Sequence, residues 1–165
     1  MNARHCSLLL GLAVCVTAAR ADVAVPAALA VPADLQLVLS THAEGTQIYG
    51  CSPEGAWTLK GPEAVLFDEK GGQIGKHFAG PSWELSDGSL ITGEVVAKDP
   101  GPDADSVAWL LLKAKTNSGK GLLARATMIQ RMETKAGQPP KEACKAGEET
   151  RSPYSATYRF FAVKS

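Results

Sequence analysis

Closely spaced turn-forming residues are the feature that most restricts the fold of this chain. After residue 34, short apolar runs alternate with breaks at 61–62, 69–72, 80–81 and 86–88. The chain contains 16 glycines and 10 prolines among 165 residues, and neither residue suits the interior of a long helix. Short runs between turns predict strands connected by hairpins. The pattern therefore predicts an all-β fold: a single-domain antiparallel β-sandwich or barrel with one disulfide.

Individual runs differ in how clearly they predict a strand. Residues 35–39, 46–50, 56–60 and 63–67 are expected as separate strands, with a break at 61–62. Residues 107–112 form a continuous apolar run, which is typical of a strand buried on both faces. Residues 122–132 are ambiguous, because their apolar spacing fits a helix while Thr127 and Ile129 favour a strand, and we predict a strand there. Residues 135–153 are predicted as a long polar loop, and residues 154–163 alternate so that one face of a strand carries Tyr154, Ala156, Tyr158, Phe160 and Ala162.

The first 21 residues have the organisation of a secretory signal peptide. Arg4 precedes an uncharged apolar run, and Ala19 and Ala21 occupy the two positions that a signal peptidase reads. The run is shorter than the roughly 20 residues that a membrane-spanning helix needs. We expect cleavage after Ala21, a flexible leader over 22–33, one β domain over 34–165, and a periplasmic or extracellular location. A lipid-modified Cys15 and a buried N-terminal helix are the alternatives.

The cysteines agree with export. Cleavage after Ala21 would remove Cys6 and Cys15 and leave Cys51 and Cys144. An even number of cysteines in an exported chain predicts a disulfide, and two cysteines allow a single intramolecular pairing. Two separate buried thiols are the alternative. Neither remaining cysteine belongs to a CxxC pair, so a redox motif or a zinc site has no support in the sequence.

The charge balance and the motifs argue against several classes of partner. The chain has 17 basic and 17 acidic residues, and we expect no nucleic-acid partner, because phosphate binding needs a basic surface. No apolar run after residue 21 is long enough to span a membrane, so we expect no membrane span. The sequence contains no GxGxxG, P-loop, HExxH or EF-hand motif, and we expect no cofactor.

Four residues are the candidates for ligand binding: Gln47, Tyr49, His77 and Trp83. They combine polar tips with stacking surfaces, as residues that bind sugars do. Trp83 lies between turns, which favours a position facing a cleft, whereas Trp109 lies in an apolar run and is expected in the core. The leading hypothesis is a non-enzymatic module that binds an envelope or extracellular component such as a glycan, with Tyr49 and Trp83 exposed side by side.

Two other functions remain open. His42 and His77, with a carboxylate such as Glu84 or Asp87, would form a metal-dependent or acid–base enzyme site if their side chains converged. Their spacing does not require convergence, so we assign no catalytic residue and treat His42, His77 and Glu84 as weak metal candidates. The other alternative is a structural or stress-related envelope protein without a small ligand, which predicts polar outer strands and no aromatic cleft.

Several short motifs occur in the order seen in a known family. They are GTQIYGC over 45–51, WTLKGP over 57–62, AVLF over 64–67, KHF over 76–78, WLLL over 109–112, IQR over 129–131 and PYSATY over 153–158. Over about residues 31–162 the chain resembles exported bacterial and fungal proteins catalogued as domain-of-unknown-function family 3455. The resemblance implies an exported single domain and a pairing of Cys51 with Cys144. It implies no reaction, because the family has no established one.

Overall fold

A computed structural model describes residues 23–164 of the chain. In this range eight antiparallel strands form one closed barrel, in which each strand pairs with the next and β8 pairs with β1. Two short 3₁₀ turns accompany them, Ala27–Leu29 and Leu122–Arg125. The strands are β1 (Leu35–Cys51), β2 (Trp57–Phe67), β3 (Gln73–Phe78), β4 (Ser82–Leu85), β5 (Leu90–Asp99), β6 (Trp109–Ser118), β7 (Met128–Ala136) and β8 (Glu149–Val163). The all-β prediction is confirmed, and the architecture is a barrel.

The first two strands are longer than the sequence predicts. The expected strands 35–39 and 46–50 both belong to β1, and the expected break at 61–62 lies inside β2. Gly61 has a φ of 148° there, and the register between β1 and β2 shifts next to it. A β-bulge bends a strand without ending it, so the glycine–proline pair curves β2 around the barrel.

Two predicted boundaries near the C-terminus also change. Residues 122–132 divide into the 3₁₀ turn Leu122–Arg125 and strand β7, which begins at Met128. The helical spacing and the strand propensity in this segment therefore belong to two consecutive elements. The predicted loop 135–153 shortens to 137–148, because β7 continues to Ala136 and β8 begins at Glu149.

A disulfide fastens the loop 137–148 to the end of β1. Cys51 and Cys144 are bonded, with their Cα atoms 5.8 Å apart, which confirms the predicted disulfide. The backbone of Cys51 also donates to the Glu148 carbonyl at 2.8 Å and accepts from the Gly147 N–H at 3.3 Å. Trp57 Nε1 donates to the carbonyl of Glu142 at 3.1 Å. We call this end of the barrel, formed by loops 52–56, 79–81, 100–108 and 137–148, the disulfide end.

The barrel interior has an apolar half and a polar half. The apolar half lies away from the disulfide end and consists of buried Leu66, Leu85, Ile91, Leu112, Leu123, Ile129 and Phe160. Each such side chain contributes about 1.5–3 kcal/mol by leaving water. The predicted alternation of β8 is confirmed, since Tyr154, Ala156, Tyr158, Phe160 and Ala162 are all buried. Two of these residues, Tyr154 and Tyr158, project into the polar half.

The N-terminal segment of the described chain packs on the outer face of the barrel wall. Leu29 is fully buried against Trp109, Leu111 and Met132, which face outward from β6 and β7. Gln130 Nε2 donates to the Leu29 carbonyl at 2.7 Å. Strand β6 is therefore apolar on both faces, because one face meets the interior and the other meets this segment.

This packed segment is part of the leader expected over 22–33. Within it, Leu29 is buried against the barrel and its carbonyl accepts a hydrogen bond from Gln130. The predicted signal peptide lies outside the described residues. Within residues 23–164, no helix has the length and the apolar character needed to cross a membrane.

Candidate functional site

All four predicted ligand-binding residues face the polar half of the barrel interior. Gln47 and Tyr49 lie on the inward face of β1, and His77 is paired in register with Trp83 across β3 and β4. Their exposed fractions are 1% for Gln47, 6% for Tyr49, 2% for His77 and 1% for Trp83. The structure brings the four residues into one region. It also buries Tyr49 and Trp83, so the exposed stacking surface expected from the sequence is absent at these residues.

An aromatic cluster crosses the interior from β3 and β4 to β8. The rings of His77 and Trp83 are stacked, with centroids 4.5 Å apart and an interplanar angle of 6°. Tyr158 meets both rings edge-on, at 4.8 Å from His77 and 5.3 Å from Trp83. Gly93 leaves room for the indole, since a Cβ at that position would lie 3.3 Å from Trp83 Cζ3. Tyr158 was not among the predicted site residues, although its place in the alternating pattern of β8 marks it as inward-facing.

His77 is a neutral side chain in this cluster. Burial lowers the pKa of His77 to about 3, and the nearby charge of Arg131 lowers it further, whereas a hydrogen bond to Ser82 raises it. Nδ1 lies 2.8 Å from the carbonyl oxygen of Ser82. Because a carbonyl can only accept, Nδ1 carries the proton and Nε2 is the acceptor of the ring.

Unpartnered polar atoms are concentrated in the same interior. Five buried side-chain atoms make no hydrogen bond of good geometry among the described residues: Thr41 Oγ1, Gln47 Nε2, Trp83 Nε1 and the hydroxyls of Tyr154 and Tyr158. The parent residues all belong to the inward faces of β1, β4 and β8. Buried polar groups are normally hydrogen-bonded, and leaving one without a partner costs about 1–3 kcal/mol. These atoms define the candidate site.

Arg131 brings a positive charge to the site from β7. Its Nε and Nη2 atoms donate to the carbonyl of Ala108 at 3.0 and 2.8 Å. Among residues 23–164, no carboxylate lies within ion-pair distance of this guanidinium. Sequence reasoning did not select Arg131, because one arginine in a strand gives no signal that distinguishes a half-buried position from an exposed one.

The two tyrosine hydroxyls respond to both burial and the arginine. Burial raises the pKa of Tyr154 and of Tyr158, and the charge of Arg131 opposes this rise in both. The hydroxyls of Tyr154 and Tyr158 also interact with each other, and the Tyr158 hydroxyl interacts with the guanidinium of Arg131, so the three groups form one polar cluster. Tyr49 differs, because its hydroxyl donates to the Gly137 carbonyl at 2.7 Å. That bond joins the interior to the loop at the disulfide end.

The weak metal candidates do not converge. His42 and Glu84 lie on the outer face of the wall, where each is paired with a neighbouring charged side chain, while His77 points inward. Asp87 lies in the turn between β4 and β5 and accepts hydrogen bonds from Ser89 and from a backbone N–H. In the part of the chain that the structure describes, no group of three or more His, Cys, Asp and Glu side chains is arranged to hold a metal ion.

Comparison with known proteins identifies one family. The family model described as "Protein of unknown function (DUF3455)" matches residues 32–162. No curated protein and no solved structure matches the chain. The matched residues include every strand of the barrel except the last residue of β8.

Proposed function

We propose that this chain, which belongs to the DUF3455 family of unknown function, is an exported, non-enzymatic domain that binds a small molecule in the polar half of its barrel. The observation that carries the proposal is a cluster of polar atoms on inward-facing, buried residues, in which Thr41 Oγ1, Gln47 Nε2 and Trp83 Nε1 have no hydrogen-bond partner among the described residues. The interior of an eight-stranded barrel is either filled by side chains or able to hold one small ligand. In this barrel the apolar half is filled, and the polar half offers unused donors and acceptors.

The burial of the aromatic residues favours a ligand enclosed by the barrel over a glycan at the surface. One face of the Trp83 indole is covered by the His77 ring, and Tyr158 and Phe160 approach it edge-on. A sugar ring would need an open aromatic face of comparable size. The loop 137–148 also covers this end. A ligand of few atoms therefore fits the site better than an oligosaccharide.

The same contacts argue against catalysis. A nucleophile would need a base near it, and His77 is a weak base at neutral pH, because burial lowers its pKa to about 3. The inward-facing residues of the polar half include no carboxylate that would act as a general acid or base. These arrangements support a binding role.

Export is the second part of the proposal. The pattern of residues 1–21 and the Cys51–Cys144 disulfide both support it, since disulfides persist in oxidising compartments. The intact mass of the exported protein should correspond to a chain that begins at Asp22. A mature chain that begins at a lipid-modified Cys15 would contradict cleavage after Ala21 and place the protein at a membrane surface.

Trp83 supplies the readout for the binding test. A spectrum of ¹⁵N-labelled protein shows one indole N–H signal for each of the three tryptophans, and Trp83→Phe assigns the signal of interest. The probes are acetate, acetamide, glycerol, imidazole and glucose at fixed pH. We expect at least one probe to shift the Trp83 signal saturably, while the signal of Trp109, outside the wall, stays in place. If no probe moves the Trp83 signal, the structural alternative without a small ligand is favoured.

A substitution at Gln47 separates binding from stability. Gln47→Leu removes a buried amide nitrogen that has no partner, so no buried group loses a hydrogen bond to it and the substitution should cost little stability. We expect this variant to be as stable as the wild type and to bind the active probe more weakly. Gln73→Leu, on the exposed start of β3, is the matched control and should bind normally. Normal binding by Gln47→Leu would contradict a site at this position.

A further inference from the structure

We infer that the ligand of the interior site is a small anion, whose oxygen atoms are held by Arg131 and by the N–H and O–H donors around it. This inference rests on the proposed binding function and specifies its ligand class. Carboxylates and inorganic oxyanions share the required chemistry, namely a negative charge carried on oxygen atoms that only accept hydrogen bonds.

The charge of the interior leads to this inference. The guanidinium of Arg131 has no carboxylate within ion-pair distance in residues 23–164. Its neighbours Tyr49, His77, Tyr154 and Tyr158 feel its charge, and none of them is acidic at neutral pH. Arg131 is half-buried and is held by the carbonyl of Ala108, which does not neutralise its charge, and an anion beside it in the barrel would supply the missing counter-charge.

The balance of donors and acceptors points to the same class. Trp83 Nε1 and Gln47 Nε2 can only donate, and both lack a partner. The hydroxyls of Tyr154 and Tyr158, which lie close to each other and to Arg131, can also donate. A carboxylate or oxyanion accepts from all of these groups, and charge-assisted hydrogen bonds are stronger than those between neutral groups. A neutral amide would bring two donors of its own to a site that already has an excess of donors.

An isosteric pair of probes tests the inference on the wild-type protein. Acetate and acetamide have the same shape, and acetate carries the charge. In Trp83 indole titrations at pH 7, we expect acetate to bind at least tenfold more tightly than acetamide. Inorganic phosphate, measured in the same way, distinguishes an oxyanion from a carboxylate preference, and sodium chloride at equal ionic strength controls for screening.

The outcomes separate this inference from the proposed function. Saturable binding of acetamide or glycerol with equal or weaker binding of acetate and phosphate would overturn the anion and leave the binding function standing. A lack of response to every probe would overturn both. A preference for acetate or phosphate over acetamide supports both.

Variants at two arginines locate the charge that selects the anion. Arg131→Met keeps most of the side-chain volume and removes the charge, and it should abolish the preference for acetate over acetamide. Arg159→Met is the matched control, because Arg159 lies beside Gln130 on the outward face of the adjacent strand, and it should keep the preference. A retained preference in Arg131→Met would overturn the assignment. If that variant does not fold, the wild-type comparison of acetate with acetamide decides the question.

Discussion

Removal of the Cys51–Cys144 disulfide should lower the free energy of unfolding by about 4–5 kcal/mol. The two residues are 93 positions apart in the sequence. By the chain-entropy argument, a cross-link that closes a loop of this length restricts the unfolded chain by that amount at 25 °C. The folded state keeps its other links at this end, namely the backbone hydrogen bonds of Cys51 to residues 147 and 148 and the bond from Trp57 to Glu142. The loss therefore falls mainly on the unfolded state.

A loss of this size is large for a domain of this length. Such domains are stable by about 5–15 kcal/mol, and 1 kcal/mol corresponds to roughly 3–5 °C in melting temperature at this size. The double variant Cys51→Ser, Cys144→Ser should therefore melt about 15–20 °C below the wild type. Calorimetry at neutral pH measures the difference, and wild-type protein treated with a thiol reductant is the control for the substitutions themselves.

Kinetics test the stated mechanism. Because the cross-link acts on the unfolded chain, the double variant should refold more slowly and unfold at nearly the wild-type rate. A fall in melting temperature of less than about 5 °C would refute the entropic argument, since it would correspond to only about 1–2 kcal/mol. A large fall caused by faster unfolding would also refute it, because the bond would then act through contacts in the folded state.

Two further predictions concern the outer segment and the buried histidine. Leu29→Ala should lower the free energy of unfolding by about 2–4 kcal/mol in urea titrations, because the side chain is fully buried outside the wall. The control Leu122→Ala, at a side chain that is 49% exposed, should cost under about 1 kcal/mol. If both variants lose less than about 1 kcal/mol, the N-terminal segment is only loosely attached. The pKa of His77 is about 3 in the folded protein and 6.5 for an ordinary histidine, so between these pH values the unfolded chain binds more protons than the folded one. The free energy of unfolding should therefore fall as the pH falls from about 6.5 toward 3, by up to about 1.4 kcal/mol per pH unit. His77→Gln should lose this part of the pH dependence and His42→Gln should keep it; equal slopes in the two variants would contradict a neutral buried His77.

Local sequence patterns predicted the elements of this fold. The spacing of turn residues predicted strands, and the alternation from Tyr154 to Ala162 predicted the inward face of β8, because a strand repeats its orientation every two residues. The number of cysteines left after residue 21 predicted the disulfide. These features depend on neighbours in sequence or on composition, so they can be read before the chain is folded.

The candidate site depended on tertiary structure from the start. Gln47, His77 and Trp83 were selected for their chemistry, but an alternating strand does not say whether a polar position faces the solvent or an enclosed interior. Closure of the barrel by pairing β1 with β8 decided this. Arg131 and Thr41 joined the site for the same reason, since β7 and β1 both lie beside Tyr158 in the register of β8.

The two faces of β6 also separate what the sequence determines from what the tertiary structure determines. The sequence by itself determined that residues 109–112 form an apolar strand buried on both sides. The tertiary structure decided what covers each side: Leu112 packs in the interior with Trp83 and Tyr158, and Trp109 and Leu111 pack under Leu29. Hydrophobic periodicity predicts which faces of a strand are removed from water. The identity of the residues that cover each face depends on contacts between parts of the chain that are far apart in sequence.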